Sequence, residues 1–361
     1  MKYSFLSLCI FLSFQGFSQK NNVTSSVDIN FFSGNIARHN DNITHLIKGH
    51  PNGFILAWNK QVSGKKAWHR VYNYPEYGFS VGTQNFNNTE LGESYGVFAH
   101  YNFYFLNKRL IFRFAQGVSY ATNPYDINFN PKNNAFGSHL LSGTYIMLNY
   151  SKAKLVGPVG IQLGLTLLHL SNASIKSPNT SINTLAFNVG LSTNISESFN
   201  KKEEVNELID RSIGYGFIFK TGINQSDVVG SDQFPFYIFS VFTEKRLSTN
   251  STLMLGLDYF NSKFLKEYIY YQSIAYPENN IEPNLDYKRI GVYFGHELLF
   301  GRFSIQTQLG YYVYAPFDFE GPIYNRIGFK QYLSKNIFTI ISLKSHAAKA
   351  EALEVGIGIR L

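Results

Sequence analysis

The chain has 361 residues, of which 17% are aromatic and only 16% charged, with a net charge of +8. A soluble domain carries roughly a quarter charged residues, and a disordered chain has few aromatics, so neither class fits. Past the N-terminus no apolar run approaches the roughly eighteen residues that a membrane-spanning helix needs. The basic residues are scattered rather than gathered into a stripe, which argues against nucleic acid and suits anionic lipid or phosphate groups.

In chain order, the first segment reads as an export signal. Lys2 supplies the positive start, Phe5 to Phe17 the apolar stretch, and Gly16-Phe17-Ser18 the small residues before a cut near Gln19. The single cysteine, Cys9, lies inside it, so the mature chain is expected to hold no disulfide and no thiolate metal site.

Beyond the signal, residues alternate with a period of two. Leu253, Leu255, Leu257 and Tyr259 face away from Met254, Gly256, Asp258 and Phe260. Val355, Ile357 and Ile359 face away from Glu354, Gly356 and Gly358. Phe303, Ile305, Thr307 and Leu309 face away from Ser304, Gln306, Gln308 and Gly310, so one face is mostly large and apolar and the other is Gly, Gln, Ser and the occasional charge. Soluble barrels put the large apolar side chains inside, whereas a transmembrane barrel turns them toward lipid. The fold class expected is therefore all-β, a transmembrane antiparallel barrel of about sixteen strands. They begin near Val27, Phe54, Tyr77, Tyr95, Leu110, His139, Val156, Asn183, Gly214, Phe236, Thr252, Lys288, Phe303, Tyr324, Ile337 and Ala352. Short connections such as Leu106 to Arg109 alternate with long polar ones such as Asn123 to Gly137. Gly96-Val97, His100, Arg109, Gln116 and Tyr120 find a loose echo in Gly291-Val292, His296, Arg302, Gln308 and Tyr312. A duplicated eight-strand unit, closing as one large barrel or two small ones, is the alternative.

Several motifs carry little chemistry. Gly78-Phe79-Ser80-Val81-Gly82 matches G-x-S-x-G but lacks the following helix that exposes such a serine. His39, His45 and His50 share a loop at spacings that fit no zinc site. His100 with Asn102, and Lys344 with His346 and Glu354, read as polar filling of the lumen.

The segment from Leu155 to Leu191 differs. Its apolar face runs Leu163, Leu165, Leu167 and then continues as His169 and Ser171. The next strand's apolar face, Leu185 to Leu191, extends back to Asn183. A nucleophile, a general base and a group to orient it thus emerge at one hairpin end on the lipid-facing side. The plain alternative is a polar fringe where the strand leaves the bilayer.

The string His169-Leu170-Ser171-Asn172, followed by Pro178-Asn179, resembles the signature of the PagL-like lipid A 3-O-deacylases, also described as acyloxyacyl hydrolases. The resemblance implies a metal-free, cofactor-free serine esterase of the bacterial outer membrane that removes an ester-linked acyl chain from lipid A. It implies Ser171 as nucleophile, His169 as base, and Asn172 and Asn179 as oxyanion or turn residues. Asn183 stands where that family has Glu, and Ser174 replaces a usual glycine. A neutral amide can fix the imidazole tautomer but cannot stabilise the imidazolium by charge. The implied enzyme is slower, borrows another carboxylate or has lost activity. The expected organisation is a signal peptide (1–19), a PagL-like barrel half (20–195), a charged periplasmic linker (196–212) and a second barrel half (213–361). Expected partners are lipid A or a related outer-leaflet glycolipid, outer-membrane lipids and the barrel assembly machinery, with no nucleic acid. Lys176 is expected to meet lipid phosphates. The rival readings are a non-enzymatic barrel (pore, scaffold or adhesin) and a secreted soluble β-protein.

Overall fold

The computed structural model describes residues 25–196, 209–347 and 349–361. The expected signal peptide lies outside them, as do residues 197–208 of the charged connection. Sixteen strands form, and each starts within three residues of its expected position. They close as two eight-stranded antiparallel barrels rather than one of sixteen. The first runs from β1 (Ser25–Ile36) through β2 (Asn52–Gln61), β3 (Glu76–Asn85), β4 (Glu93–Phe105), β5 (Leu110–Ala121), β6 (Leu140–Val156) and β7 (Val159–Ser171) to β8 (Ile182–Ser196), which pairs back onto β1. The second runs from β9 (Ile213–Gln225) through β10 (Gln233–Ser248), β11 (Ser251–Ser262), β12 (Arg289–Phe300), β13 (Phe303–Tyr314), β14 (Ile323–Tyr332) and β15 (Ile337–His346) to β16 (Lys349–Arg360), which pairs back onto β9. Full closure leaves no unpaired sheet edge, the condition for strands to cross hydrocarbon.

The alternation does what the pattern implies. On β7, Gln162 and Thr166 are buried, while Leu163, Leu165 and Leu167 point outward at 47%, 42% and 39% exposure. On β8, Leu185, Phe187, Val189 and Leu191 do the same. This apolar wall has no protein core to enter; hydrocarbon is the medium that suits it.

An eight-strand barrel is just wide enough for side chains to fill, and both lumens are filled. In the first, Arg113 grips Asp28 through both guanidinium nitrogens (3.1 and 2.6 Å) and donates to Asn102 through Nε (2.7 Å). Amides occupy the space around that pair: Asn59 donates to Asp28, and Asn188 to Asn149 and Thr166. Ser80 of the G-x-S-x-G string points inward, 2.6 Å from the Tyr145 hydroxyl. In the second, Arg326 bonds Asp258 (2.8 Å) and Glu354 (3.1 Å), Lys330 pairs with Glu297 (2.9 Å), and Arg289 and Lys344 share Glu351. Small residues leave room for large ones: a Cβ on Gly310 would sit 2.1 Å from the Tyr324 ring.

The longest connections within the barrels, 37–51, 122–139 and 263–288, lie at one end, the long-loop end; the opposite, short-loop end has tight turns within each barrel apart from the connection 62–75, and the long-loop end has one tight turn, between β15 and β16. The short-loop end of the first barrel also holds a five-residue helix, α1 (Ala67–Val71), and the long-loop end of the second holds α2 (Lys263–Ala275). The barrels stand side by side with like ends together. At the short-loop end Phe300 enters an aromatic cluster with Trp68, Tyr72, Tyr101 and Phe103, and Asn250 donates to the Tyr72 hydroxyl (3.0 Å). Midway, Phe114 of β5 meets Phe329 of β14 (5.8 Å between rings). At the long-loop end the turn joining β7 to β8 is bonded to the rim of the second barrel.

Candidate active site

Strand register assembles the site. Antiparallel pairing sets His169 of β7 directly opposite Asn183 of β8. On the other flank, Thr144 of β6 lies opposite His169, and Ser142 opposite Ser171. One strand further, Gln116 of β5 pairs with Thr144. All six share the outward parity of their strands, so Gln116, Thr144, His169 and Asn183 form one polar row across the outer wall, with Ser142 and Ser171 one step nearer the long loops. Directly opposite residues on one face bring their Cβ atoms within about 5 Å.

His169 Nδ1 lies 2.6 Å from Asn183 Oδ1. An amide oxygen only accepts, so Nδ1 carries the proton and Nε2 keeps its lone pair. Among the described residues no group hydrogen-bonds Nε2. The imidazole is therefore held in the tautomer that leaves Nε2 able to accept a proton.

Ser171 is 5% exposed, and its hydroxyl is engaged elsewhere. It donates to Asn179 Oδ1 (3.1 Å) and accepts from the Ala173 amide (3.0 Å). His169 and Ser171 stand two residues apart on one face, a spacing that lets their side chains hydrogen-bond, but no such bond is made in this structure; the Asn179 oxygen takes the Ser171 proton. The same oxygen accepts from the Asn172 amide (2.9 Å), and Asn172 Nδ2 donates to the Lys176 carbonyl (2.5 Å). Both asparagines thus tie the turn 172–179 into shape, while Asn179 Nδ2 has no partner among the described residues. Ala173 and Ser174 both lie in the left-handed region (φ 55° and 60°), where a side chain is costly.

The sequence reading missed Gln116, Ser142 and Thr144. Thr144 donates to Gln116 Oε1 (2.5 Å), and Gln116 Nε2 donates to Ser142 Oγ (2.9 Å). The available signal was parity: Gln116 interrupts the outward row Phe112, Phe114, Val118, Tyr120, and Ser142 and Thr144 precede Ile146 and Leu148. Seeing that they meet His169 required the register, which the sequence does not carry. Next to the turn, a polar cleft is lined by Lys132, Lys176, His139, Glu90 and Asp126. The loop histidines do not cluster: His39 contacts the Thr180 carbonyl, His45 that of Lys132, and His50 the Asn35 side chain.

Comparison with known proteins follows the same division as the barrels. Residues 52–192 match the family model of lipid A 3-O-deacylase (PagL), and residues 211–361 match that of the acyloxyacyl hydrolase C-terminal domain. Among solved structures, the crystal structure of the outer membrane enzyme PagL is 17% identical, covering 45% of this chain and 97% of that one, with a TM-score of 0.35. A Rh. blastica porin variant is 10% identical over 94% of this chain and 99% of its own, at a TM-score of 0.18. CdiB from Acinetobacter baumannii is 9% identical over 94% of this chain and 60% of its own, at 0.19. No curated protein matches the chain in sequence. The first barrel thus resembles the lipid A 3-O-deacylases and the second the acyloxyacyl hydrolase C-terminal domain, the two matches lying end to end along the chain.

Proposed function

We propose that this chain is an outer-membrane esterase that removes an ester-linked acyl chain from lipid A, with Ser171 as nucleophile, His169 as base and Asn183 as the group that orients the imidazole. The observation that carries this reading is the His169–Asn183 hydrogen bond on the outer wall, two residues along the strand from a serine. Leu163, Leu165, Leu167, Leu185 and Phe187 lie below it on the same two strands and give an acyl chain an apolar bed.

Catalysis starts with a χ1 rotation that moves the Ser171 proton from Asn179 to His169 Nε2. Hydrogen bonds of this kind are often long or unmade before substrate binds. Oγ then attacks the ester carbonyl as Nε2 takes the proton. The tetrahedral oxyanion accepts from Asn179 Nδ2, freed of other partners, and from the Ser142 hydroxyl beside the nucleophile. Collapse expels the sugar hydroxyl, protonated by the imidazolium, and leaves an acyl-serine that water hydrolyses by the reverse proton path. Asn183 holds the ring throughout but contributes no charge. Lys176 and Lys132 in the adjoining cleft suit the phosphates of the headgroup. The organisation proposed is a signal peptide over 1–19, a PagL-like barrel half over 20–195, a charged linker over 196–212 and a second barrel half over 213–361. The barrel assembly machinery is the partner such a chain requires for insertion.

The pore reading is the weaker one, because buried side chains occupy both lumens. The test is mass spectrometry of lipid A from cells expressing the parent or Ser171→Ala. A mass decrease of one acyl chain with the parent alone, and not with the variant, supports the esterase. Identical lipid A profiles, with both proteins folded, sink it.

A further inference from the structure

The second barrel lies outside the catalytic row, yet it holds the turn on which that row depends. The segment 172–181 has two faces. Its far end is tied to the first barrel's own loops: Thr180 N donates to Asn134 O (3.1 Å) and Ser181 N to Ala135 O (3.3 Å). Its middle, residues 174–177, is tied to the other barrel. Gln225 N donates to Ser174 O (3.1 Å), and Ser177 N donates to Gln225 Oε1 (2.9 Å). Ser177 Oγ donates to Ser226 O, Gln233 Nε2 to Ile175 O (2.6 Å), and Ser174 Oγ to Ala350 O (2.6 Å). Gln225 contacts this turn with both backbone and side chain. It is 8% exposed, and its Nε2 donates to the Ser231 carbonyl, which anchors it in the β9–β10 hairpin.

These bonds act where the turn is least stable by itself. Ala173 and Ser174 are consecutive non-glycine residues in the left-handed region. Such a conformation persists only when its surroundings over-determine it. Two residues beyond Ser177 stands Asn179, whose Oδ1 accepts from the hydroxyl of Ser171. The path is short: Gln225 to Ser177, through Pro178 to Asn179, and on to the nucleophile.

We infer that Gln225, at the rim of the second barrel, is a positioning residue for Ser171, and that the second barrel serves the first as a clamp on its active-site turn. The inference rests on the esterase reading above. A purely packing role for the second barrel would leave turnover independent of this one side chain.

The experiment uses the full-length protein in detergent micelles with lipid A. Gln225→Met removes both side-chain hydrogen bonds at similar volume; Gln225→Glu keeps an acceptor for the Ser177 amide. Two quantities are read: amide exchange of the peptide spanning 172–181 by mass spectrometry, and kcat and KM for deacylation. Gln225→Met is expected to speed exchange of the turn at least tenfold and lower kcat at least tenfold, with KM within twofold. Gln225→Glu is expected to recover a third or more of the parent kcat. Folding is checked by heat-modifiable gel mobility. If Gln225→Met fails that check, Ser174→Ala, which removes only the bond to Ala350, takes its place with the same expectations in direction. Unchanged exchange means there is no clamp and overturns the inference, as does a loosened turn with the parent kcat. A parent that never deacylates lipid A overturns the esterase reading and the positioning role with it, while the exchange data still decide whether the contact exists.

Discussion

The two barrels solve the same packing problem with different chemistry. The first fills its lumen with amides arranged around one bidentate ion pair, Arg113 with Asp28. The second fills the equivalent space with Lys220, Arg289, Arg326, Lys330 and Lys344 set against Asp258, Glu297, Glu351 and Glu354. Their seventh and eighth strands differ in the same sense. In the first, β7 and β8 are separated by ten residues, and His169 faces outward beside Asn183. In the second, β15 and β16 are separated by two, and His346 turns inward, 3.2 Å from the Tyr312 hydroxyl. A histidine enclosed by a lumen cannot reach a lipid ester. On the esterase reading proposed above, the reactive face belongs to the first barrel, and the second, its lumen filled by ion pairs, supports it.

The largest expected effect tests that division directly. Ser171→Ala should lower deacylation by roughly 10³-fold or more, in line with removal of a nucleophile. His346→Ala should leave turnover unchanged in the same assay. Equal losses in the two variants would erase the distinction between the repeats.

The lumens can be set against each other next. Arg326→Met leaves Asp258 and Glu354 short of a buried cation, and removal of one partner from a buried pair costs about 3–5 kcal/mol. Urea titration of gel mobility should report that loss in the second barrel. In the first, Gln84→Met takes from the Thr184 hydroxyl the amide donor it accepts from and should cost ~1–3 kcal/mol, the desolvation of a single buried polar group. A larger penalty for the amide than for the arginine would reverse the assignment of rigidity.

Between these effects lies Asn183. Asn183→Ala frees the imidazole to rotate and should lower kcat by roughly 10²-fold, the lower end of general-base contributions. Asn183→Glu restores a charge opposite the imidazolium and should raise kcat above the parent. A pH profile and kcat for the two variants settle the point; an inert Asn183→Ala would remove Asn183 from the site.

Much of this was legible in the sequence because period two is an absolute property of a strand. Leu163, Leu165 and Leu167 announce their face without any knowledge of neighbours, and His169 and Ser171 inherit it. Closure was not legible: β8 pairs with β1 instead of β9 through contacts 148 to 171 residues apart, and the alternation is the same for one barrel or two. The Ser171–Asn179 bond escaped for a related reason, since it spans a turn whose path depends on two left-handed residues and on partners in the other barrel. Gln116 and Thr144 escaped because lateral register is invisible within a single strand.

The row of polar groups sits on the exterior of a wall, and that changes how a reactant reaches it. On the esterase reading proposed above, a lipid substrate arrives sideways, gliding within its own leaflet, without ever crossing open water. The quantity that governs saturation is then the mole fraction of lipid A among its neighbours, not its amount per litre. Diluting it with an inert lipid at fixed total should slow the enzyme, whereas adding more vesicles of the same make-up should not.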